Sequence, residues 1–138
     1  MLINASSIDL IGRALEASTL RQEVIANNIA NADVPGFKRS YVRFEDLLRQ
    51  VLENNRPSSF VGIRTDPRHI PIGRGRSALS VRPQVVVDHS TSMNHNGNNV
   101  DLDYEMALMA KNQIYYNTLV QMVNGKFEKI RTVIDRRS

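Results

Sequence analysis

The chain contains no cysteine and no tryptophan. The first absence removes disulfides, thiolate metal sites and cysteine nucleophiles, and it leaves the redox compartment open. Aromatic side chains are limited to four Phe and four Tyr, scattered along the chain, which gives little basis for a stacking platform for nucleic-acid bases. No block of like charges occurs, so the formal net charge of +4 over 138 residues reads as a solvated surface rather than a nucleic-acid-binding patch. No apolar stretch approaches the ~20 residues of a membrane-spanning helix. The N-terminal segment also lacks the cationic start and continuous apolar core of a cleavable secretory signal.

Site chemistry is equally sparse. His69, His89 and His95 fall in a polar middle region, none at metal-ligating spacing from another His or from a carboxylate on a helix. Gly73-Arg74-Gly75-Arg76 lacks the third glycine and the following helix of a phosphate loop. The run from Ser92 to Gly97, with Asp103 beyond it, faintly echoes a calcium loop. It begins with Ser, offers neutral Asn ligands and has no bidentate Glu, so Asn96-Gly97 reads better as a turn. The expectation is therefore no catalytic residue, no cofactor, no metal site, no nucleic-acid partner and no small-molecule substrate.

What is present is two long helical patterns at the two ends. Ile8, Ile11, Leu15, Ser18, Gln22, Ile25, Ile29 and Ala32 alternate spacings of three and four, a heptad seam. Ser6, three residues before Asp9, predicts a capping-box start. Val34-Pro35-Gly36 predicts an end near Ala32 or Asp33, because Pro pushes the preceding residue out of the α region. The second pattern runs through Leu102, Met106, Met109, Gln113, Tyr116, Val120, Val123, Phe127, Ile130 and Ile134. Asp101 is its predicted N-cap, and Asp103 and Glu105 complement the helix dipole. Arg131, Arg136 and Arg137 do the converse at the other end, and Gly125 is a predicted weak point. Helices of about 40 and 50 Å are too long for the core of so small a globule, which predicts coiled-coil pairing with each other or with neighbouring subunits. Gln22 and Gln113 are candidates for fixing register in the seams, or simply exposed.

Between these patterns, Phe44, Leu47, Leu48, Val51 and Leu52 form one apolar helical face. Pro57, Pro67, Pro71 and Pro83 with several glycines then interrupt longer elements. Short strands at Phe60–Ile63 and Leu79–Val87 would make at most a small hairpin. The predicted fold is mainly α: long terminal helices in a coiled-coil-like pair, with a loop-rich middle holding one short helix and a small β-hairpin. The expected segments are 1–37, 38–95 with the short helix at 44–54, and 96–138.

The segment Leu20–Arg39 contains Asn27, Asn28, Asn31, Ala32, Pro35, Gly36, Phe37 and Lys38, an Asn-rich helix exit. The segment from Asn96 contains Asn98, Asn99, Val100, Asp101 and Leu102, followed by Asp103 and Glu105-Met106-Ala107. In this order and at these distances from the ends, the two motifs resemble those of the flagellar rod and hook protein family. Val34 stands where that family often has Thr, and Phe37 where it often has Tyr. The family's Arg-Ala-Tyr-x-x-Asn signature is replaced by Asn112-Gln113-Ile114-Tyr115-Tyr116-Asn117, a variant that, with the short length, resembles a proximal-rod subunit.

The resemblance implies a structural, non-enzymatic subunit of the basal-body rod, exported by the flagellar type III apparatus without a cleavable signal. Its implied partners are other copies of itself, other rod subunits, and the basal adaptor between membrane ring and rod. Its implied location is the periplasmic or cell-wall space. Another rod or hook subunit is the alternative, and a basic nucleic-acid-binding coiled-coil protein is one from a different class. Phe44 and Leu48 are similar in pattern to the aromatic-x-x-x-aliphatic export element of such substrates, or are simply the apolar face of the short helix.

Overall fold

The structure, a computed structural model, describes residues 2–54, 77–89 and 97–135. In chain order the elements are α1 (Leu2–Ala30), β1 (Ser40–Arg43), α2 (Glu45–Asn54), a 3-10 turn (Ala78–Ser80), β2 (Gln84–Val87) and α3 (Leu102–Asp135). The mainly helical architecture with long terminal helices, a short middle helix and a small two-stranded sheet is the one the sequence predicts. Among the described residues no helix is long and apolar enough to cross a membrane.

The helices α1 and α3 pack antiparallel. Ser18 hydrogen-bonds Asn112 and, ten residues further along α1, Asn28 hydrogen-bonds Glu105, seven residues back along α3. The start of α1 corrects the expected cap: the helix begins at Leu2, so Ser6 lies inside it. Nothing from Leu2 to Ala5 breaks a helix, and each added residue gains a backbone bond once the helix exists, so propagation overrides the local cap signal. At the other end α1 stops at Ala30, slightly before the expected Ala32 or Asp33. There the backbone tightens, with the Asn31 N–H shared between the carbonyls of Asn27 and Asn28 at 3.2 Å each. Val34-Pro35-Gly36-Phe37 then makes a turn closed by Phe37 N–H to Val34 C=O at 3.3 Å, with Gly36 at φ 72°. Pro at the second position and a left-handed glycine at the third are the residues of a type II turn.

The α3 start is as expected. The Asp101 carboxylate accepts from the N–H groups of Asp103 (3.0 Å) and Tyr104 (3.2 Å), satisfying two of the donors a helix leaves open at its first turn.

The sheet differs from the expected hairpin. Its strands pair antiparallel, Ser40 opposite Val87 and Arg43 opposite Gln84. The partner of the predicted C-terminal strand is thus β1, which its own short polar sequence did not announce. Within the span expected as a strand from Leu79, the chain forms the 3-10 turn and then, after Pro83, only Gln84–Val87. Proline lacks the N–H a ladder needs, so pairing begins beyond it. The predicted strand at Phe60–Ile63, His69, His95, the Gly73–Arg76 run, Ser92–Asn96, Arg136 and Arg137 lie outside the described residues.

The core sits where α2 and the 3-10 turn cover the helix pair. Ile11, Ala14, Ala17, Phe44, Val81 and Leu119 form one buried cluster, with Leu15, Leu47, Leu48, Val51 and Val123 packed against it. Alanine at two core positions of α1 leaves room for the Phe44 ring, which is 2% exposed.

Candidate assembly surface

The two terminal motifs meet in space. Asn98 acts as a C-cap for α1 from the far end of the chain. Its side-chain amide lies within donor distance of three backbone carbonyls, those of Asn31 (3.2 Å), Ala32 (2.7 Å) and Val34 (3.0 Å). Its own oxygen accepts the Val100 N–H at 2.6 Å. These carbonyls lie just past the end of α1; those of Asn31 and Val34 also accept backbone N–H groups within the turn, from Val34 (3.1 Å) and Phe37 (3.3 Å), so the side chain braces the exit as a whole. Gly36 and Gly97 are neighbours across this junction: a Cβ added at Gly97 would meet the Gly36 Cα at 3.9 Å, an ordinary contact distance. Lys38 Nζ donates to the Gly97 carbonyl at 2.9 Å. Asn99 accepts the Arg39 N–H at 2.7 Å and donates to the Asp88 carbonyl at 2.9 Å, which ties the C-terminal motif to both strands.

Beside this junction lies a buried polar cluster. Asn28 accepts the Ser40 N–H at 2.9 Å, and its amide donates to the Ser40 carbonyl (2.8 Å) and to Glu105 Oε2 (3.1 Å). In this way α1 anchors a two-stranded sheet that would be marginal alone. Glu105, fully buried, faces the Arg39 guanidinium with Nη2 2.9 Å from Oε1. That contact is ionic but off-axis, since neither Arg39 Nε nor Glu105 Oε1 has an aligned hydrogen bond among the described residues. The same guanidinium lies 5.1 Å from the Tyr104 ring centroid, a cation–π distance. Further along the pair, Asn112 donates to the Ser18 carbonyl (3.0 Å) and to Gln22 (2.9 Å) and accepts from the Ser18 hydroxyl (3.0 Å). Gln22 therefore joins a polar layer between the helices. Gln113 does not: it is exposed and reaches Asn117 at 3.4 Å.

The seam between the helices is consequently not the one hydropathy suggests on α3. The buried α3 residues are Glu105, Asn112 and Leu119, spaced by seven. Of the expected α3 seam, Met109, Val120, Val123 and Ile130 are half-buried, and Tyr116 stays on the exposed side of that boundary. Leu102, Met106 (57% exposed), Phe127 (54%) and Ile134 (61%) stand in solvent. On α1, by contrast, the expected positions face inward, with Ile11 and Ile25 buried and Ile8, Leu15 and Ile29 half-buried. Of the motif residues, Asn28, Asn98, Asn99 and Val100 are buried and Asn31, Ala32, Phe37 and Lys38 half-buried, whereas Asn27, Pro35, Gly36 and Asp101 are exposed. Phe44 is buried and Leu48 half-buried in the core.

Sequence reasoning missed Glu105 and Asn112 as interior residues, with half-buried Arg39 beside Glu105, because polar side chains on an amphipathic helix are read outward unless their partners are known. The other side of α3 borders an open groove of about 390 Å³ lined by Arg21, Glu45, Leu108, Lys111, Asn112 and Tyr115. Arg21 is held there by both Glu45 oxygens, at 2.9 and 2.7 Å. Partial burial raises the Tyr115 phenol above its ordinary pKa of 10.0, with Glu45 adding to the rise and Arg21 opposing it. Among the described residues no cluster of His, Asp or Glu could hold a metal ion.

A helix pair locked at one end by its own terminal motifs, carrying uncovered apolar stripes along one helix, defines a structural protein that works through contact with other chains. The family described as Flagella basal body rod protein matches over residues 9–38. Over nearly the whole length, the chain is 40% identical across 134 residues to the flagellar basal body rod protein FlgB of Bacillus subtilis, covering 97% of each chain. It is 36% identical across 128 residues to FlgB of Borreliella burgdorferi, covering 93% of this chain and 95% of that one. Against FlgB of Escherichia coli it is 30% identical across 123 residues, covering 88% and 87%. The chain belongs to the FlgB family of flagellar basal body rod proteins. It is thus a structural rod subunit of the flagellar basal body, a family role that implies assembly with other rod components.

Proposed function

We propose that this rod subunit sits in the proximal rod and is built into the hollow shaft through its terminal helices. The observation that carries the reading is the uncovered stripe Met106, Phe127 and Ile134 on α3, with half-buried Val120 between them. An apolar stripe sustained along a helix and left in water by the chain's own fold is the signature of a surface awaiting a partner. Burying it on assembly offsets the ordering entropy of long helices that a lone subunit covers only on one side. The partners in this reading are further copies of the chain, other rod subunits and the basal adaptor between membrane ring and rod. The shaft crosses the periplasmic or cell-wall space, and the chain reaches it through the flagellar type III apparatus.

The test is Phe127→Asp in cells lacking the native chain. A charge forced into an apolar contact costs several kcal/mol, on the order of 3–5, so swimming is lost and basal bodies stop short of a complete rod. The same variant is still recovered outside the cytoplasm. Normal swimming with Phe127→Asp would show that this stripe packs against nothing in the rod.

A further inference from the structure

Helix α3 has apolar flanks on both sides of its intrachain seam, and the two differ in charge. The first is the stripe through Met106, Val120, Phe127 and Ile134. The second runs through Leu108, Tyr115, Met122 (51% exposed) and Val133 (60% exposed). Residues three, four or seven apart share a helix face, which assigns the lysines to the second flank. Lys111 follows Leu108 by three and precedes Tyr115 by four, while Lys126 and Lys129 follow Met122 by four and seven. The carboxylates go the other way. Apart from buried Glu105 they are Asp103, Glu128 and Asp135, each directly after an apolar residue of the first side: Leu102, Phe127 and Ile134. One residue turns the helix by about 100°, here away from the seam, so the acids line the outer edge of the first flank. Arg131 is the base on that side, bridged to Asp135 at 3.8 Å. None of the ion pairs among the described residues takes Lys111, Lys126 or Lys129.

We propose that the two flanks are the two halves of one heterologous contact, in which the acid-edged flank of one copy seats against the lysine-edged flank of a second copy of this chain. The inference rests on the rod-subunit reading and deepens it by naming the partner and the orientation. Pairing each flank with its own equivalent would set lysines against lysines or carboxylates against carboxylates, and such juxtaposition is unfavourable. A heterologous contact passes from copy to copy and builds a ring or an open helix, whereas an isologous one stops at two chains. On the second flank the groove walled by Arg21 and Glu45 offers a recessed seat beside Leu108 and Tyr115.

The absence of native cysteine makes the test clean. Met122→Cys and Phe127→Cys sit on opposite flanks of one rigid helix. Basal bodies are isolated from cells making the double variant as their sole copy and treated with a short bismaleimide. The expected result is a ladder of dimers and higher species of this chain, with each single variant remaining monomeric. Three results overturn the inference: dimers from Phe127→Cys alone, cross-links to a different rod component, or no cross-link although the double variant is present in basal bodies of swimming cells. Absence of the unaltered chain from basal bodies would instead sink the rod reading, and the inference with it. A charge-reversal series gives an independent readout on exposed residues. Lys111→Glu with Lys129→Glu abolishes swimming, and adding Glu128→Lys and Asp135→Lys restores it; undiminished swimming of the first pair, or no restoration by the second, overturns the proposal.

Discussion

Asn28 and Glu105, both fully buried and 77 residues apart, are joined by a hydrogen bond of 3.1 Å. The contact fixes where the end of α1, the start of β1 and the first turns of α3 lie relative to one another. Altering either side chain leaves buried or half-buried polar groups without their partners. Asn28→Ala strands the Ser40 backbone groups and one Glu105 oxygen, at a cost of about 2–3 kcal/mol. Glu105→Gln leaves the Arg39 guanidinium beside a neutral partner and costs about 3–5 kcal/mol. Urea unfolding followed by circular dichroism measures both, with exposed Asn27→Ala as control. Equal midpoints for Asn27→Ala and Asn28→Ala would mean the cluster does not hold the fold.

Asn98 serves α1 without belonging to it. Asn98→Ala removes the side-chain donor shared by three part-buried carbonyls, and the expected effect is local: amide exchange rises from Asn31 to Phe37 while the Ser18–Asn112 layer keeps its protection. A global loss of protection would show that the cap and the seam open as one unit.

Gly125 and Gly36 respond to the same substitution with opposite signs. A Cβ at Gly125, inside α3, meets no atom within 4 Å, so Gly125→Ala stabilises the helix by about 1 kcal/mol. Gly36 also has space, but its φ of 72° strains any L side chain, and Gly36→Ala destabilises by about 1 kcal/mol. Thermal unfolding of the two variants should bracket the wild-type midpoint.

Tyr115 gives a pH signature. Its folded pKa is raised above 10.0 by burial and then by Glu45, so the folded state favours the neutral phenol. The associated stability is complete below the unfolded pKa and is lost as pH rises through it and through the folded value. Wild type should therefore lose more stability between about pH 9 and 11 than Tyr115→Phe does. Identical alkaline profiles would contradict the groove environment described.

Phe44 and Leu48 admit two roles that one strain separates. Both are packed in the folded core, so any recognition by an export apparatus acts on the unfolded chain. Phe44→Ala with Leu48→Ala, expressed without the other rod subunits, should accumulate in the cytoplasm if the pair is an export element. Wild-type secretion followed by failed assembly would assign the pair to packing alone, consistent with the several kcal/mol that a buried Phe contributes.

The parts of this fold legible in the sequence are those with local causes. Asp101 caps α3 through its own next residues, and Pro35-Gly36 turns the chain without outside help. The apolar face of α2 likewise shows in its spacing. The rest depends on partners far along the chain. Ser40–Arg43 becomes a strand because Val85, Val86 and Val87 arrive opposite it and Asn28 holds its first residue. Glu105 and Asn112 occupy the interior only because Arg39, Asn28, Ser18 and Gln22 are waiting there. Hydropathy therefore chose the neighbouring stripe on α3, which this chain leaves uncovered. Ser6 failed as a cap for the opposite reason, since nothing before it stops the helix.

The junction of the two motifs also has a consequence in time. The segment that follows α1 through the Pro-Gly exit is among the earlier ones to be made, yet its brace is Asn98. The next contacts needed come from Glu105 and Asn112. In any process that delivers the N-terminus first, these partners arrive only after α1, β1 and β2 are complete. A chain halted at Asp88 would hold all of α1, β1 and β2 and still be unable to close the clasp. The clasp between α1 and α3 can therefore form only once the chain has been delivered at least through Asn112.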